Sequence, residues 1–377
     1  MTKSALKALV SALLLLASEA ALAAREVNLP PPATEIAQMM YDLHTTIMWI
    51  IVVIFVVVFG AMFYAVLKHR KSLGHQAAHF HENTTVEIVW TVIPLLILLV
   101  MAVPATKGIL AMKDTSEPDM TIKVTGYQWK WGYDYIKGEG EGIKFLSQLS
   151  TPWDQIYSNA PKGENYLLEV DNPLVVPVGK KVRVILTAND VIHAWWVPAF
   201  GVKQDAIPGF VRDTWFKADR AGTFRGNCAE LCGKEHGFMP IVVEALEPEK
   251  YTQWVAERTK VAQAGPVEDP NKTYSKDELM AKGAEVFTKN CVACHMANGK
   301  GMPPTFPALD GGKITTGPKA GHIDIVTNGS SKNPSMMAWG KTLTDLDVAA
   351  VITYERNSWG NKTGDIVQPA EVKAAKK

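Results

Sequence analysis

All four cysteines of this chain fall in two short stretches, and each stretch has the spacing of a redox cofactor site. The first reads Cys228-Ala-Glu-Leu-Cys232-Gly-Lys-Glu-His236-Gly-Phe-Met239, and a second histidine, His193, lies upstream beside Trp195 and Trp196. Two thiolates, two imidazoles and a thioether form a soft donor set, and softness of this kind selects copper. A mononuclear copper site uses one thiolate, so two suggest a bridged pair of coppers that shares charge and reorganises little on reduction. A Cys2His zinc site and a Cys228–Cys232 disulfide are the alternatives. The second stretch, Cys291-Val-Ala-Cys294-His295, has the spacing of covalent haem c attachment. There the thiols form thioethers and the histidine is held under the iron. A thioredoxin-type pair or half of a zinc site are its alternatives. The sixth iron ligand is expected to be a downstream thioether. Met296, Met302, Met336 and Met337 are available, but Met296 adjoins His295 and cannot reach the opposite face.

These groups need elements to hold them. With 377 residues, two or three domains are expected. A formal charge of +1, from 39 basic and 38 acidic side chains, excludes a strongly basic nucleic-acid binder. Residues 1–23 read as an export signal: Lys3 and Lys7, an apolar run Leu9 to Ala17, and Ala21-Leu22-Ala23, with cleavage after Ala23 or Ala24. A transmembrane hairpin is expected over 35–112, with spans at about 47–67 and 88–110. The loop Lys68-His69-Arg70-Lys71 would stay in the cytoplasm, which places both termini and everything after Lys113 outside. Glu87 sits just inside the second span, where a carboxylate is costly unless it faces protein or water. It is a candidate proton inlet, and an interfacial acid with no role is the alternative.

From 113 to 247 the pattern changes to short runs broken by Gly, Pro, Asn and Asp, such as Thr121 to Trp129, Tyr166 to Val170, Lys181 to Ala188 and Pro240 to Leu246. These predict an antiparallel sandwich or barrel. A helix-like run, Pro248 to Ala262, opens a linker over 248–277 that carries Gly265-Pro266 and Asp269-Pro270. Residues 278–377 form the haem-bearing domain, with a helix over Asp345 to Asn357 capped by Thr344. The fold class is therefore multidomain: a two-helix hairpin, an all-β sandwich and an all-α domain.

Residues 35–247 resemble subunit II of haem–copper cytochrome c oxidases. The resemblance is carried by Val86-Glu87-Ile88-Val89-Trp90-Thr91, Gly126-Tyr127-Gln128-Trp129-Lys130-Trp131, Leu168-Glu169-Val170-Asp171-Asn172, Lys203-Gln204-Asp205-Ala206-Ile207-Pro208-Gly209 and the copper loop. It implies a cupredoxin-like β domain with a binuclear CuA centre ligated by His193, Cys228, Cys232, His236, Met239 and the Glu230 carbonyl. It also implies that the Glu230 carboxylate reaches a magnesium ion at the subunit I boundary. Trp129 would be the aromatic through which electrons enter, Glu87 the mouth of a proton path, and Asp171 one of the acids that receive a cytochrome c. Without the family, Trp129 and Trp131 read as sheet packing.

The C-terminal domain resembles class I cytochromes c, and similarity to fused oxidase cytochromes favours Met336 over Met337 as the sixth ligand. Gly283, Phe287 and Tyr354 would then pack the two principal helices together. Together these resemblances imply the second subunit of a caa3-type oxidase, with subunits I and III, a cytochrome c or other periplasmic donor, and the bilayer of a bacterial inner membrane as partners. Subunit I would reduce oxygen and pump protons. The CuA-type subunit of a nitric oxide reductase and a membrane-anchored copper chaperone are the rival readings. The chaperone would lack Met239, the second histidine and the hairpin. A quinol oxidase subunit II would lack the copper ligands.

Overall fold

A computed structural model describes residues 28–74, 76, 81–264, 272–304, 306–333 and 335–377. The export signal expected over 1–23 lies outside these described residues. The chain divides into two units: one ends at Lys113 and also holds the turn Pro198–Gly201, and the other takes the rest from Asp114 to Lys377.

The first unit contains two long helices, α1 (Glu35–Lys68) and α2 (Thr84–Lys113). Thr34 caps α1 by accepting a hydrogen bond from the Ala37 amide at 3.0 Å, which satisfies one of the donors a helix start leaves open. The 34 residues of α1 reach about 51 Å, longer than the ~30 Å hydrocarbon layer of a bilayer. The apolar stretch expected over 47–67 occupies the C-terminal part of this helix, and its side chains are largely exposed. Pro94 and Pro104 lie inside α2 without ending it, as membrane helices allow. Both helices are long and apolar enough to cross a membrane. Glu87 lies in the first turn of α2, where one carboxylate oxygen accepts from the Asn83 amide at 3.3 Å.

The second unit begins with a sandwich of two five-stranded sheets. One has the order β3 (Lys144–Ser147), β2 (Lys130–Lys137), β1 (Met120–Tyr127), β5 (Val182–Ala188), β8 (Arg212–Phe216). The other has the order β4 (Leu174–Pro177), β10 (Pro240–Leu246), β9 (Gly222–Cys228), β6 (His193–Val197), β7 (Val202–Ala206). The period of two is clean in β5, where Val182, Val184 and Leu186 are buried and the residues between them are half-buried.

Two sequence expectations are corrected here. The sandwich is not wholly antiparallel, because β1 pairs with β5, and β4 with β10, in parallel. Each parallel pair joins strands far apart in the chain, which short hairpins cannot do. Tyr166 to Val170 is a turn rather than a strand: Leu167 has φ 64°, and Val170 makes only an isolated bridge to Leu149. The helix-like run after β10 becomes α3 (in chain order after the short helix Trp153–Tyr157), spanning Pro248–Ala264. Tyr251 on it is fully buried and its hydroxyl donates to the Glu139 carbonyl at 2.7 Å. The first half of the expected linker therefore packs on the β domain.

The C-terminal part is helical, with α4 (Lys276–Asn290), α5 (Val292–His295), α6 (Lys319–Asn328), α7 (Asp345–Asn357) and α8 (Pro369–Ala375). Capping boxes start α4 (Ser275 with Glu278) and α7 (Thr344 with Asp347). These two helices meet at Gly283, where a Cβ would stand 2.1 Å from the Ala350 carbonyl oxygen. Glycine is required for this close approach. Phe287 packs at 5.5 Å from Tyr354 and 5.1 Å from Trp359, between ring centroids.

Candidate metal centre and haem cavity

The β domain gathers the five soft donors at one end. His193 opens β6, Cys228 closes β9, and Cys232, His236 and Met239 follow on the loop into β10. Cys228 Sγ lies 3.8 Å from Cys232 Sγ and 3.9 Å from His193 Nδ1. Cys232 Sγ lies 3.4 Å from His236 Nδ1 and 3.5 Å from Met239 Sδ. The Glu230 carbonyl oxygen is 3.4 Å from Cys228 Sγ, while its side chain is exposed. A disulfide needs sulfurs about 2.05 Å apart, and both cysteines are free. The donors thus surround a small volume with no covalent bond between them, and their chemistry fits copper better than zinc because the thioether belongs to the set.

The surroundings fix the donors' orientation. Asp190 Oδ1 is 2.9 Å from His193 Nε2, which turns Nδ1 toward the sulfurs. Burial lowers the pKa of His193, but hydrogen bonds and charge from Asp190 and Cys228 outweigh it, and the net shift is upward. The two thiols split. A hydrogen bond from Cys232 holds Cys228 down, while that same bond and burial push Cys232 up. The pocket therefore resists two bare thiolates, and cations are what would let both ionise. Gly126 leaves room for the His193 ring, since a Cβ there would lie 2.7 Å from His193 Cδ2. Trp131 is fully buried. Its indole donates to the Met239 carbonyl at 3.3 Å and its ring lies 5.9 Å from that of His193. Sequence reasoning assigned Trp131 to packing and passed over Asp190 altogether. The one signal for Asp190 was an acid three residues before a candidate ligand histidine.

A cavity of about 380 Å³ is lined by Cys291, Cys294, His295, Met336 and Met337 of the helical part and by Tyr127, Gln128, Lys130 and Asp190 of the sandwich. Met296 and Met302 are not on its wall. Their sulfurs instead lie 3.7 and 3.1 Å from Lys234 Nζ. The His295 ring faces the Pro307 carbonyl through Nδ1 at 2.9 Å, leaving Nε2 for an iron. Burial pushes Cys294 up to about 11 and Cys291 upward as well. A thioredoxin-type pair requires a depressed thiol, so these thiols do not fit that alternative. A large, mostly apolar void with paired thiols, a histidine and thioethers on its wall fits a covalent haem.

The β1–β2 turn of the sandwich reaches both sites. Trp129 is 5% exposed, its indole donates to the Cys232 carbonyl at 3.2 Å, and its ring lies 5.8 Å from Phe306 of the helical part. Gln128 donates to the same Cys232 carbonyl at 2.8 Å and accepts from the Ser335 hydroxyl at 3.0 Å, next to Met336. Lys130 is buried on the cavity wall with Nζ 4.3 Å from the Trp339 ring centroid, and burial lowers its pKa. The resemblance gives Trp129 as the aromatic through which electrons enter, an expectation of a surface-exposed ring, and here it is buried. Phe306 covers it because the helical part packs there. Asp171 accepts from the Gln148 amide at 2.9 Å, and its charge acts on Lys130.

Comparison with known proteins agrees along the chain. The family described as cytochrome c oxidase subunit II, transmembrane domain, matches residues 23–107, and the periplasmic domain of the same subunit matches 120–246. The family described as cytochrome c oxidase, cbb3-type, subunit III, matches 278–354. The probable cytochrome c oxidase subunit 2 of Rickettsia bellii (strain RML369-C) is 38% identical over 240 residues, 64% of this chain and 87% of that protein. Cytochrome c oxidase subunit 2 of Cereibacter sphaeroides is 38% identical over 238 residues, 60% of this chain and 78% of that protein. Among solved structures, the periplasmic domain of subunit II of cytochrome oxidase of Bradyrhizobium japonicum is 45% identical and covers 38% of this chain and 96% of that one, at a TM-score of 0.34.

Proposed function

The chain belongs to the cytochrome c oxidase subunit II family and carries a fused cytochrome c domain, and on that premise we propose that it receives electrons for a haem–copper oxidase and delivers them to subunit I. His193, Cys228, Cys232, His236, Met239 and the Glu230 carbonyl hold a binuclear CuA centre. Cys291 and Cys294 would attach a haem c, and His295 and Met336 would hold its iron. When bound, these groups supply one-electron storage at two nearby places, and subunit I performs the oxygen chemistry and pumping.

The protein's own residues set the route between the two places. Trp129 fills the space between Phe306 and the Cys232 carbonyl, so packed atoms and one hydrogen bond bridge the helical part to a copper ligand. Gln128 adds a second bridge from Ser335, beside Met336, to the same carbonyl. Asp190 holds the His193 ring in place, and Trp131 anchors the Met239 backbone. The junction around Trp129 is the observation that best supports the reading.

The external donor is a cytochrome c or another periplasmic one-electron carrier. Subunit I, subunit III and the bilayer of a bacterial inner membrane are the remaining partners, with both termini on the periplasmic side. Glu87, in the first turn of α2, serves the mouth of a proton path. The exposed Glu230 carboxylate is the oxygen ligand this chain offers a magnesium ion at the subunit I boundary. Magnesium takes an octahedral oxygen shell, so most of that site belongs to other groups. The test is the visible and near-infrared spectrum of the purified full-length chain with a metal count. A c-type haem band, a mixed-valence copper band and two coppers per polypeptide are expected. Haem alone would refute the copper assignment.

A further inference from the structure

Two buried titratable side chains on the haem-cavity wall take no part in the route described above. His322 on α6 faces Glu355 on α7, with Nε2 2.8 Å from Oε2. They are 2% and 4% exposed, and both line the cavity. The other imidazole nitrogen, His322 Nδ1, is buried and has no hydrogen-bond partner among the described residues. Val326 and Val351 share the cavity wall with the pair, and Asn361 donates to the Glu355 backbone carbonyl. An unpaired buried polar atom is costly, so packing alone gives no reason for a histidine and a glutamate here.

The charged groups around the pair are mostly committed elsewhere. Arg356, next to Glu355, donates to Asp365 and to the Thr315 and Gly317 carbonyls. On α6, Lys319 pairs with Glu371 of α8, and Asp324 pairs with Lys377. From the start of α5, the Cys291 thiol feels the Glu355 charge. Across the cavity stand His295, Lys313, Lys130 and Asp190. Asp190 is already engaged by His193 and the Gln128 amide. Among the described residues, no third side chain forms an ion pair with His322 or Glu355.

We infer that the His322–Glu355 pair takes up one proton when the haem in this cavity is reduced and releases it when the haem is oxidised. This rests on the haem assignment proposed above. With a neutral imidazole the pair carries one negative charge, which favours ferric haem. An electron arriving in a poorly screened cavity raises the cost of that charge, and a proton cancels it. The balance is one electron from the external donor and one proton from solvent, with iron passing from ferric to ferrous. The proton rests on the pair, and no bond between heavy atoms changes.

The experiment is a redox titration of the full-length chain in detergent, following the haem band from pH 5 to pH 9, with wild type, Glu355→Gln and His322→Leu. In wild type the reduction equilibrium should weaken with rising pH, by up to tenfold per unit, equivalent to 59 mV for one electron. Both variants should flatten this slope, and Glu355→Gln should also raise the midpoint. Proton uptake on reduction, read with a pH indicator, gives an independent result on wild type should a variant fail to fold. A flat wild-type profile without proton uptake would overturn the inference, as would an unchanged slope in both variants. Absence of the haem band would instead contradict the haem assignment, so the two failures are distinguishable.

Discussion

The copper end of the sandwich and the haem cavity solve the same problem in opposite ways. At the copper end the donors already converge, with ligand atoms 3.4–3.9 Å apart across Cys228, Cys232, His193, His236 and Met239. Strand ends and a short loop do this, so the protein bears the cost of crowding thiols before any ion arrives. In the helical part the groups stand on the walls of a void of about 380 Å³. There a haem would itself supply much of the core. A metal ion can be gripped by a preformed cage, whereas a porphyrin must replace packing that the polypeptide omits.

This contrast predicts different failures. The largest effects come from removing attachment. Cys291→Ala with Cys294→Ala should leave the void unfilled, and hydrogen exchange should show α4 and α7 opening while the sandwich stays protected. The converse variant, Cys232→Ser, should abolish the mixed-valence copper band yet leave the haem band and the melting of the helical part unchanged. Should either change melt both regions together, the contrast would fail.

Next in size, Asp190→Asn should weaken copper binding by about 10–100-fold, the usual cost of losing a partner that orients a metal-bound histidine. Competition with a copper chelator would measure this. Gly283→Ala should cost the helical part about 1–3 kcal/mol, the range for overpacking, because its Cβ meets the Ala350 carbonyl. Denaturant unfolding followed by the haem band would detect it.

The smallest effect concerns acid. The hydrogen bond from Arg356 holds the Asp365 carboxyl below its ordinary value. A depressed carboxyl stabilises the fold above its unfolded pKa, near 3.9, and that contribution disappears as pH falls through the lower folded value. Asp365→Asn should therefore reduce the acid sensitivity of the helical part slightly, without altering that of the sandwich.

Much of this was legible in the sequence because it is local. The Cys228–Met239 loop and Cys291–His295 carry their chemistry in consecutive residues, and the Thr344 cap fixes the start of α7. The apolar runs within α1 and α2 needed only composition to be read. What sequence could not supply depends on distant segments meeting. The parallel pairing of β1 with β5 is one case, and the burial of Tyr251, within the expected linker, against the β domain is another. Asp190 reads as a turn residue until His193 is seen turned toward it. His322 and Glu355 are 33 positions apart, and neither belongs to a motif.

The most direct measurement is rapid one-electron reduction of the haem in the full-length, copper-loaded chain, following the haem and near-infrared copper bands together. Intramolecular relay predicts that the haem reoxidises in the same phase in which the copper band bleaches, at a rate independent of protein concentration and slowed by Trp129→Leu. A haem that stays reduced beside an unchanged copper band, or a rate that rises with concentration, would contradict it.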